Sequence, residues 1–204
     1  MQAVKNIIFD LGGIFLNINY QLTEQAFKEL GIPDFTSMFS QHHSNELFEL
    51  LETGKLTPDD FYNIFRKESG TNLSNAQIKS AWNALLLDFP EERIHWLDNI
   101  KEQYNIYLFS NTNQIHYDQF MEDFSAAYPD KDFNSYFIKA YYSQTLGLRK
   151  PYVASYQKII QEQNLVAAET LFIDDTIKNI EGARQAGLQT IHLVAPQTVL
   201  DLSL

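Results

Sequence analysis

Cysteine is absent from all 204 residues, which excludes a disulfide framework and a thiol nucleophile and permits a reducing compartment. Positive charge is scarce: 15 Lys+Arg stand against 26 Asp+Glu, giving a formal charge of -11 and a pI near 4.8. No basic stripe offsets that balance, so neither a nucleic acid nor an anionic membrane is the expected partner, and an anionic substrate needs a local pocket of positive charge. No run approaches the roughly 18 consecutive apolar residues of a membrane span. The N-terminus lacks a basic region ahead of a cleavable apolar segment, because its one apolar run is short and broken by Asp10. Repeats, low-complexity tracts and long linkers are missing too. These absences lead to the expectation of a soluble, cytoplasmic protein and say nothing of its oligomeric state. What is present is a globular composition, 45% hydrophobic and 14% aromatic, in a chain long enough for one large domain or a domain with a sizeable insertion.

The organising stretch is Asn6 to Gly13, N-I-I-F-D-L-G-G. Ile7, Ile8 and Phe9, with Val4 ahead of them, form the short apolar run of a strand buried on both faces. It stops at Asp10, followed by Leu11, Gly12 and Gly13. Such an Asp can simply cap a turn. It can also stand at the carboxyl end of a central parallel strand, beside glycines that let an anion approach the backbone, where open α/β sheets bind their ligands.

From Tyr20 to Leu87 the pattern is helical. Leu22, Ala26, Phe27 and Leu30 form one apolar face, with Gly31 in the stop position. Ser44 is placed to cap a second helix carrying Leu47, Phe48, Leu50 and Leu51, ending at Gly54. Thr57-Pro58-Asp59-Asp60 starts a third, with a hydroxyl cap, a proline at the first helical position and two acids at the positive end of the dipole. Ser74 and Gln77 have capping-box spacing and open a fourth, with Ile78, Ala81, Trp82 and Leu85. Its aromatic residues read as core rather than as a substrate cage. Phe89-Pro90 closes this insert, and a βα alternation follows. It comprises a helix from Glu91 to about Gln103, strands at Ile106–Phe109, Phe137–Tyr142, Leu171–Ile173 and Thr190–Val194, and helices after Pro151 and from Ile177 to Ala186. The expected fold is α/β, a doubly wound parallel sheet with an inserted four-helix cap. Residues 1–15 and 91–204 form the core, residues 16–90 the cap, and the two crossings between them a hinge.

Polar clusters stand at the strand ends: Asp10 after one, Ser110 and Asn111 after another, Asp174 and Asp175 after a third, with Arg149 and Lys150 just ahead of a helix. Singly these are ordinary turns and caps. The basic pair is less comfortable there, since positive charge before a helix N-terminus opposes the dipole unless an anion or carboxylate is also present. As a set they offer oxygen ligands for a hard cation, a hydroxyl and amides for phosphate oxygens, and an ammonium to offset charge.

The order Asp10, Ser110, Lys150, Asp174-Asp175, with the helical insert after the first strand, resembles the four motifs of the haloacid dehalogenase-like (HAD) superfamily over nearly the whole chain. The resemblance implies that Asp10 is a nucleophile forming an aspartyl-phosphate and that Lys150 neutralises Asp10 and phosphate. It implies that Ser110 and the amide of Asn111 hold phosphoryl oxygens. Mg2+ is implied as the cofactor, bound by Asp10, Asp175, Asp174 and the backbone carbonyl of Gly12, with Asn179 orienting that shell. The Asp-Asp pair favours a phosphatase, since the halide-displacing members do not carry it. One departure matters: most family phosphatases carry a second Asp, the general acid/base, where this chain has Gly12. A branch with F-D-L-G here is similar and includes sugar-1-phosphate phosphatases. The resulting expectation is a Mg2+-dependent phosphomonoester hydrolase acting on a small phosphorylated metabolite, with a sugar 1-phosphate as the candidate that this branch suggests. The alternatives are a catalytically weakened phosphate-binding module and a sugar phosphotransferase or mutase. Asn17, Asn19, His42 and His43 are conceivable substitute proton donors that read better as structural or solvated polar residues.

Overall fold

The computed structural model describes residues 3–40, 43–44 and 46–204, without the side chains of residues 38–40 and 43–44. Strand β1 (Asn6–Phe9) is followed by α1 (Tyr20–Glu29), α2 (Phe35–Met38), the ribbon β2 (Phe39–Ser40) and β3 (His43–Ser44), then α3 (Glu46–Glu52), α4 (Pro58–Ser69) and α5 (Asn75–Asn83). The alternating part comprises α6 (Glu91–Ile100), β4 (Asn105–Ser110), α7 (Gln114–Ala127), β5 (Lys139–Tyr142), α8 (Ser143–Leu146), α9 (Val153–Glu162), β6 (Thr170–Asp174), α10 (Ile177–Gln185) and β7 (Gln189–His192). Five strands form one parallel sheet in the order β5-β4-β1-β6-β7. The chain therefore builds outward from β1 to one side, then returns to build on the other, so β1 is where the order switches and where strand-end loops part to leave a crevice.

Alternate residues of β1 serve opposite faces. Ile7 and Phe9 enter a cluster with Ile94 and Leu97 of α6 and Phe120 and Phe124 of α7, while Ile8 enters one with Tyr156 and Ile159 of α9 and Ile180 of α10. A third cluster lies in the helical insert around Phe27, Phe48, Phe61 and Trp82. It also takes Ile115 from α7, so insert and sheet share apolar contacts. The caps read from the sequence form as reciprocal hydrogen bonds. Asp60 N donates to Thr57 Oγ1 at 3.2 Å and Thr57 N to Asp60 Oδ2 at 3.3 Å. Gln77 N donates to Ser74 Oγ at 3.2 Å and Ser74 N to Gln77 Oε1 at 3.0 Å.

The two crossings run side by side. Ile18 and Leu86 pair antiparallel, Asn17 N donates to Asp88 O at 2.9 Å, Leu87 N to Asn17 O at 3.0 Å and Asn19 N to Leu85 O at 2.8 Å. Among the described residues the insert holds five helices rather than four, α2 being a single turn. The strand expected from Phe137 begins at Lys139, because residues Phe133–Tyr136 form a 3-10 turn that buries Phe133 and Tyr136. The last strand is Gln189–His192 rather than Thr190–Val194. Leu22, expected on the inner face of α1, is exposed, and Thr23 takes that place by donating its hydroxyl to Trp82 O at 3.1 Å. Between β4 and Phe133, where the sequence pattern marks no element, lies the 14-residue helix α7. No described helix is long and apolar enough to cross a membrane.

Candidate active site

Because β1, β4 and β6 are parallel neighbours, Asp10, Ser110 and Asp174 emerge at one edge of the sheet. The Asp10 N–H still donates to Ile173 O at 2.9 Å, which fixes the residue as the last paired position of its strand. Its carboxylate Oδ1 accepts the Leu11 N–H at 2.7 Å and the Lys150 ammonium at 2.7 Å. Oδ1 is thus engaged by both a backbone amide and an ammonium. The same ammonium contacts Asp174 Oδ2 at 2.7 Å, so one buried cation bridges two carboxylates. It also lies 5.5 Å from the ring centroids of both Phe109 and Phe172, which hold it against the faces of two core aromatics.

Asp174 has no solvent exposure and accepts several hydrogen bonds. Besides Lys150 it accepts Thr176 N at 2.8 Å and Asn179 Nδ2 at 3.1 Å from each oxygen. Asp175 is less enclosed and accepts the Thr176 hydroxyl at 3.0 Å. Gly13 makes its approach possible. The residue adopts φ +74°, and a Cβ there would sit 2.5 Å from Asp175 Oδ2, so a side chain would collide with the carboxylate.

Asp10, Asp174 and Asp175 each offer an oxygen within 4.8 Å of the others. Burial pushes the Asp10 carboxyl up to about 8, with Asp174 and Asp175 adding to the rise and Lys150 opposing it. Asp175 is raised by burial and then by the charge of Asp174. Burial works against the Lys150 ammonium, but Asp10 and Asp174 outweigh it and hold the group charged. Three crowded carboxylates against one ammonium remain short of positive charge. An all-oxygen donor set with that deficit suits a hard divalent cation, which Asp10, Asp174, Asp175 and the Gly12 carbonyl could hold.

The remaining sequence candidates fall on the same rim or away from it. Ser110 and Asn111 line the cavity with Asp10 and Lys150. The Asn111 side chain is engaged with the Lys150 backbone, donating Nδ2 to Lys150 O and accepting Lys150 N, both at 2.9 Å, so only its main-chain amide is offered to an anion. Asn17 gives its side chain to Asp88 at 3.0 Å, and Asn19 caps α1 by accepting Gln21 N at 3.0 Å; neither lines the cavity. The side chains of His42, His43 and Ser44 lie outside the described part. At Gly12 a Cβ would come within 2.8 Å of Ile18 Cδ1, so an apolar side chain of the insert occupies the space where an acid would project.

Sequence reasoning missed several lining residues. The cavity, of about 320 Å3, is walled from the insert by Ile18, Tyr20, Glu49 and Glu52 and from the sheet edge by Thr112, His116, Arg149 and Lys178. Arg149 pairs with Glu49 Oε1 at 2.9 Å through Nη1 and with Glu52 Oε2 at 3.1 Å through Nε. Those carboxylates answer the unfavourable charge before α9. The loop after β4 is fixed by Ser143, whose hydroxyl accepts Thr112 N at 2.9 Å and donates to Thr112 O at 2.8 Å. His116 is buried, stacks on Trp82 with centroids 4.6 Å apart, accepts Asn113 Nδ2 on Nδ1 at 3.1 Å, and donates Nε2–H to Trp82 O at 3.0 Å. Burial lowers it to about 4, so it is neutral and structural. The signal for it lay in the sequence: Asn113 as a cap, then His116, Phe120 and Phe124 at helical spacing.

The family model for haloacid dehalogenase-like hydrolases matches residues 7–193. A D-ribitol-5-phosphate phosphatase of Bacteroides thetaiotaomicron is 31% identical over 190 residues, covering 93% of this chain and 91% of its own. A sesquiterpene phosphatase of Aspergillus oryzae is 28% identical, with 93% and 89% covered. A HAD family enzyme of Bacteroides thetaiotaomicron, solved as an Asp-to-Ala variant in complex with magnesium and inorganic phosphate, superposes with a TM-score of 0.90 at 30% identity and covers 96% of both chains.

Proposed function

The chain belongs to the haloacid dehalogenase-like hydrolases, and from that premise we propose that it is a Mg2+-dependent phosphomonoester hydrolase whose nucleophile is Asp10. The observation that carries this reading is the Lys150 ammonium at 2.7 Å from both Asp10 and Asp174, inside a cluster whose carboxylates also reach Asp175 within 4.8 Å. Plain phosphate binding has no use for a carboxylate aimed at the anion, whereas phosphoryl transfer needs a nucleophile, a counter-charge and fixed geometry.

In this mechanism Asp10 Oδ2 attacks the phosphorus in line. The ester P–O bond breaks, its electron pair leaves with the departing oxygen, and that oxygen takes a proton from water, because Gly12 supplies no side-chain acid. Water then attacks the phosphorus of the aspartyl-phosphate, its proton neutralising the hydroxide left by the first step, the bond to Asp10 breaks, and inorganic phosphate leaves with the carboxylate restored. Lys150 favours the ionised form of Asp10 against the effect of burial and holds it in position, and the Ser110 hydroxyl and Asn111 amide hold phosphoryl oxygens. Asp10, Asp174, Asp175 and the Gly12 carbonyl would hold Mg2+, which would supply positive charge to offset that on the transferring group. Residues 16–90 act as a cap over the strand ends, hinged at the paired crossings.

Two observations bear on the ester. The relative named for D-ribitol 5-phosphate supports a polyol phosphate with the phosphoryl group on a primary alcohol. The lack of an acid at Gly12 supports a more acidic leaving oxygen, as in a sugar 1-phosphate, which needs less protonation. Assay of the purified protein with Mg2+ against an aryl phosphate, ribitol 5-phosphate, and hexose 1- and 6-phosphates tests both. Turnover abolished by Asp10→Asn and by chelation is the expected result. Binding without turnover would instead leave a phosphate-binding module, and phosphate reaching another hydroxyl would make the protein a phosphotransferase.

A further inference from the structure

Glu52 ends α3 with no basic residue in its last turn, so its charge faces the negative end of the helix dipole. It is also buried, with 7% of its surface exposed, while lining the catalytic cavity. A carboxylate kept in so unfavourable a place requires a reason. Arg149 is the obvious one, with Nε 3.1 Å from Glu52 Oε2. Yet neither of those two buried atoms completes a hydrogen bond, so the pair is compensated in charge and unsatisfied in hydrogen bonding. Glu52, a side chain lining a cavity of about 320 Å3, therefore brings to it a carboxyl oxygen that lacks a hydrogen bond.

Resting on the phosphomonoesterase reading, we propose that Glu52, oriented by Arg149, accepts hydrogen bonds from hydroxyl groups of the leaving group and selects neutral polyhydroxylated phosphate esters. Hydroxyls are the donors that a carboxylate in this position lacks. Glu49 and Glu52 together outnumber the one guanidinium between them, so a leaving group with its own carboxylate or second phosphate is repelled. An apolar leaving group would strip water from Glu52 and return no donor. Because Glu52 sits on the insert while Asp10 sits on the sheet, the selection acts on the leaving group and not on the phosphoryl group.

The test compares kcat/KM for a pentitol phosphate and for n-pentyl phosphate, which has the same carbon chain without the other hydroxyls, using the full chain with Mg2+. An aryl phosphate reports basal turnover. The wild type should prefer the pentitol ester. Glu52→Ala should lose about 10- to 100-fold on it, the usual range for a hydrogen bond to a charged group, while losing less than about threefold on the pentyl and aryl esters. Glu52→Gln, which keeps an acceptor, should fall between and raise KM more than it lowers kcat. Equal losses on all three esters would make the Arg149 pair only a clasp between insert and sheet and overturn the proposal, as would unchanged discrimination. If Glu52→Ala does not fold, the pentitol-to-pentyl ratio of Glu52→Gln decides alone, an unchanged ratio counting against Glu52. A wild type that turns over all three esters without preference defeats this inference and spares the phosphatase reading. A wild type inactive on all three defeats both.

Discussion

His116 joins the helical insert to the sheet, and its titration gives a stability effect whose sign and size follow from its surroundings. The imidazole is 7% exposed, stacked on Trp82, and hydrogen-bonded on both nitrogens as the neutral Nε2–H tautomer. A proton on Nδ1 would face the Asn113 amide donor, and burial penalises the charge, lowering the group from 6.5 to about 4. In the unfolded chain it titrates near 6.5. Between those values the unfolded state binds a proton that the folded state refuses, so the stabilisation is complete above 6.5 and is lost as pH falls towards 4. At about 1.4 kcal/mol per pH unit the loss approaches roughly 3 kcal/mol in full, and about 2 kcal/mol at pH 5. Urea denaturation of the wild type and His116→Gln at pH 7.5 and pH 5 isolates this contribution, because the other titrating groups are common to both proteins. The variant should be less stable at pH 7.5, having lost the stack and part of the network. Its deficit should shrink by about 2 kcal/mol at pH 5. A deficit that stays constant within about 0.5 kcal/mol would refute the assignment of a buried neutral histidine.

Other perturbations address the site itself. Lys150→Met leaves Asp10 and Asp174 facing each other without a cation. In chelated buffer this should cost about 3–5 kcal/mol by urea denaturation, with added Mg2+ restoring more to the variant than to the wild type. Asn111→Ala removes both hydrogen bonds to the Lys150 backbone, so a loss of about 2 kcal/mol is expected together with a fall in kcat as the ammonium loses its position. Gly13→Ala forces a methyl against Asp175 in a left-handed backbone, and Mg2+ affinity measured by calorimetry should drop at least about tenfold; unchanged affinity would separate Asp175 from the metal.

Much of this architecture was legible because it rests on local rules. Three strands read as unbroken apolar runs ending in a polar residue, and once the sheet is parallel those ends must share an edge, which is why Asp10, Ser110 and Asp174 emerge as neighbours. The hydroxyl cap and proline at Thr57-Pro58 and the capping-box spacing at Ser74 fixed two helix starts. Helix α7 was hidden by its composition, since tyrosine, histidine and phenylalanine at helical spacing also suit a strand or an aromatic loop. The ends of β5 and β7 were misplaced because Phe137 and Leu193 are buried in the apolar cluster although they lie outside the two strands. Tyr20, Glu49 and Glu52 were out of reach for a different reason. They arrive at the cavity from the insert, and a single sequence carries no information on how one packed unit meets another. Arg149 was half legible: its charge before a helix demanded a carboxylate, but nothing local said that α3 would supply two.

If Asp10 is the nucleophile, it must itself carry the phosphoryl group during turnover. Acid quench of the Mg2+-loaded enzyme during steady turnover of an aryl phosphate, followed by mass spectrometry of its peptides, asks this directly. A phosphoryl adduct on the peptide containing Asp10, absent from Asp10→Asn, is the expected result. Active enzyme that carries no adduct under conditions where the acyl phosphate survives, or carries it on another residue, would contradict the account.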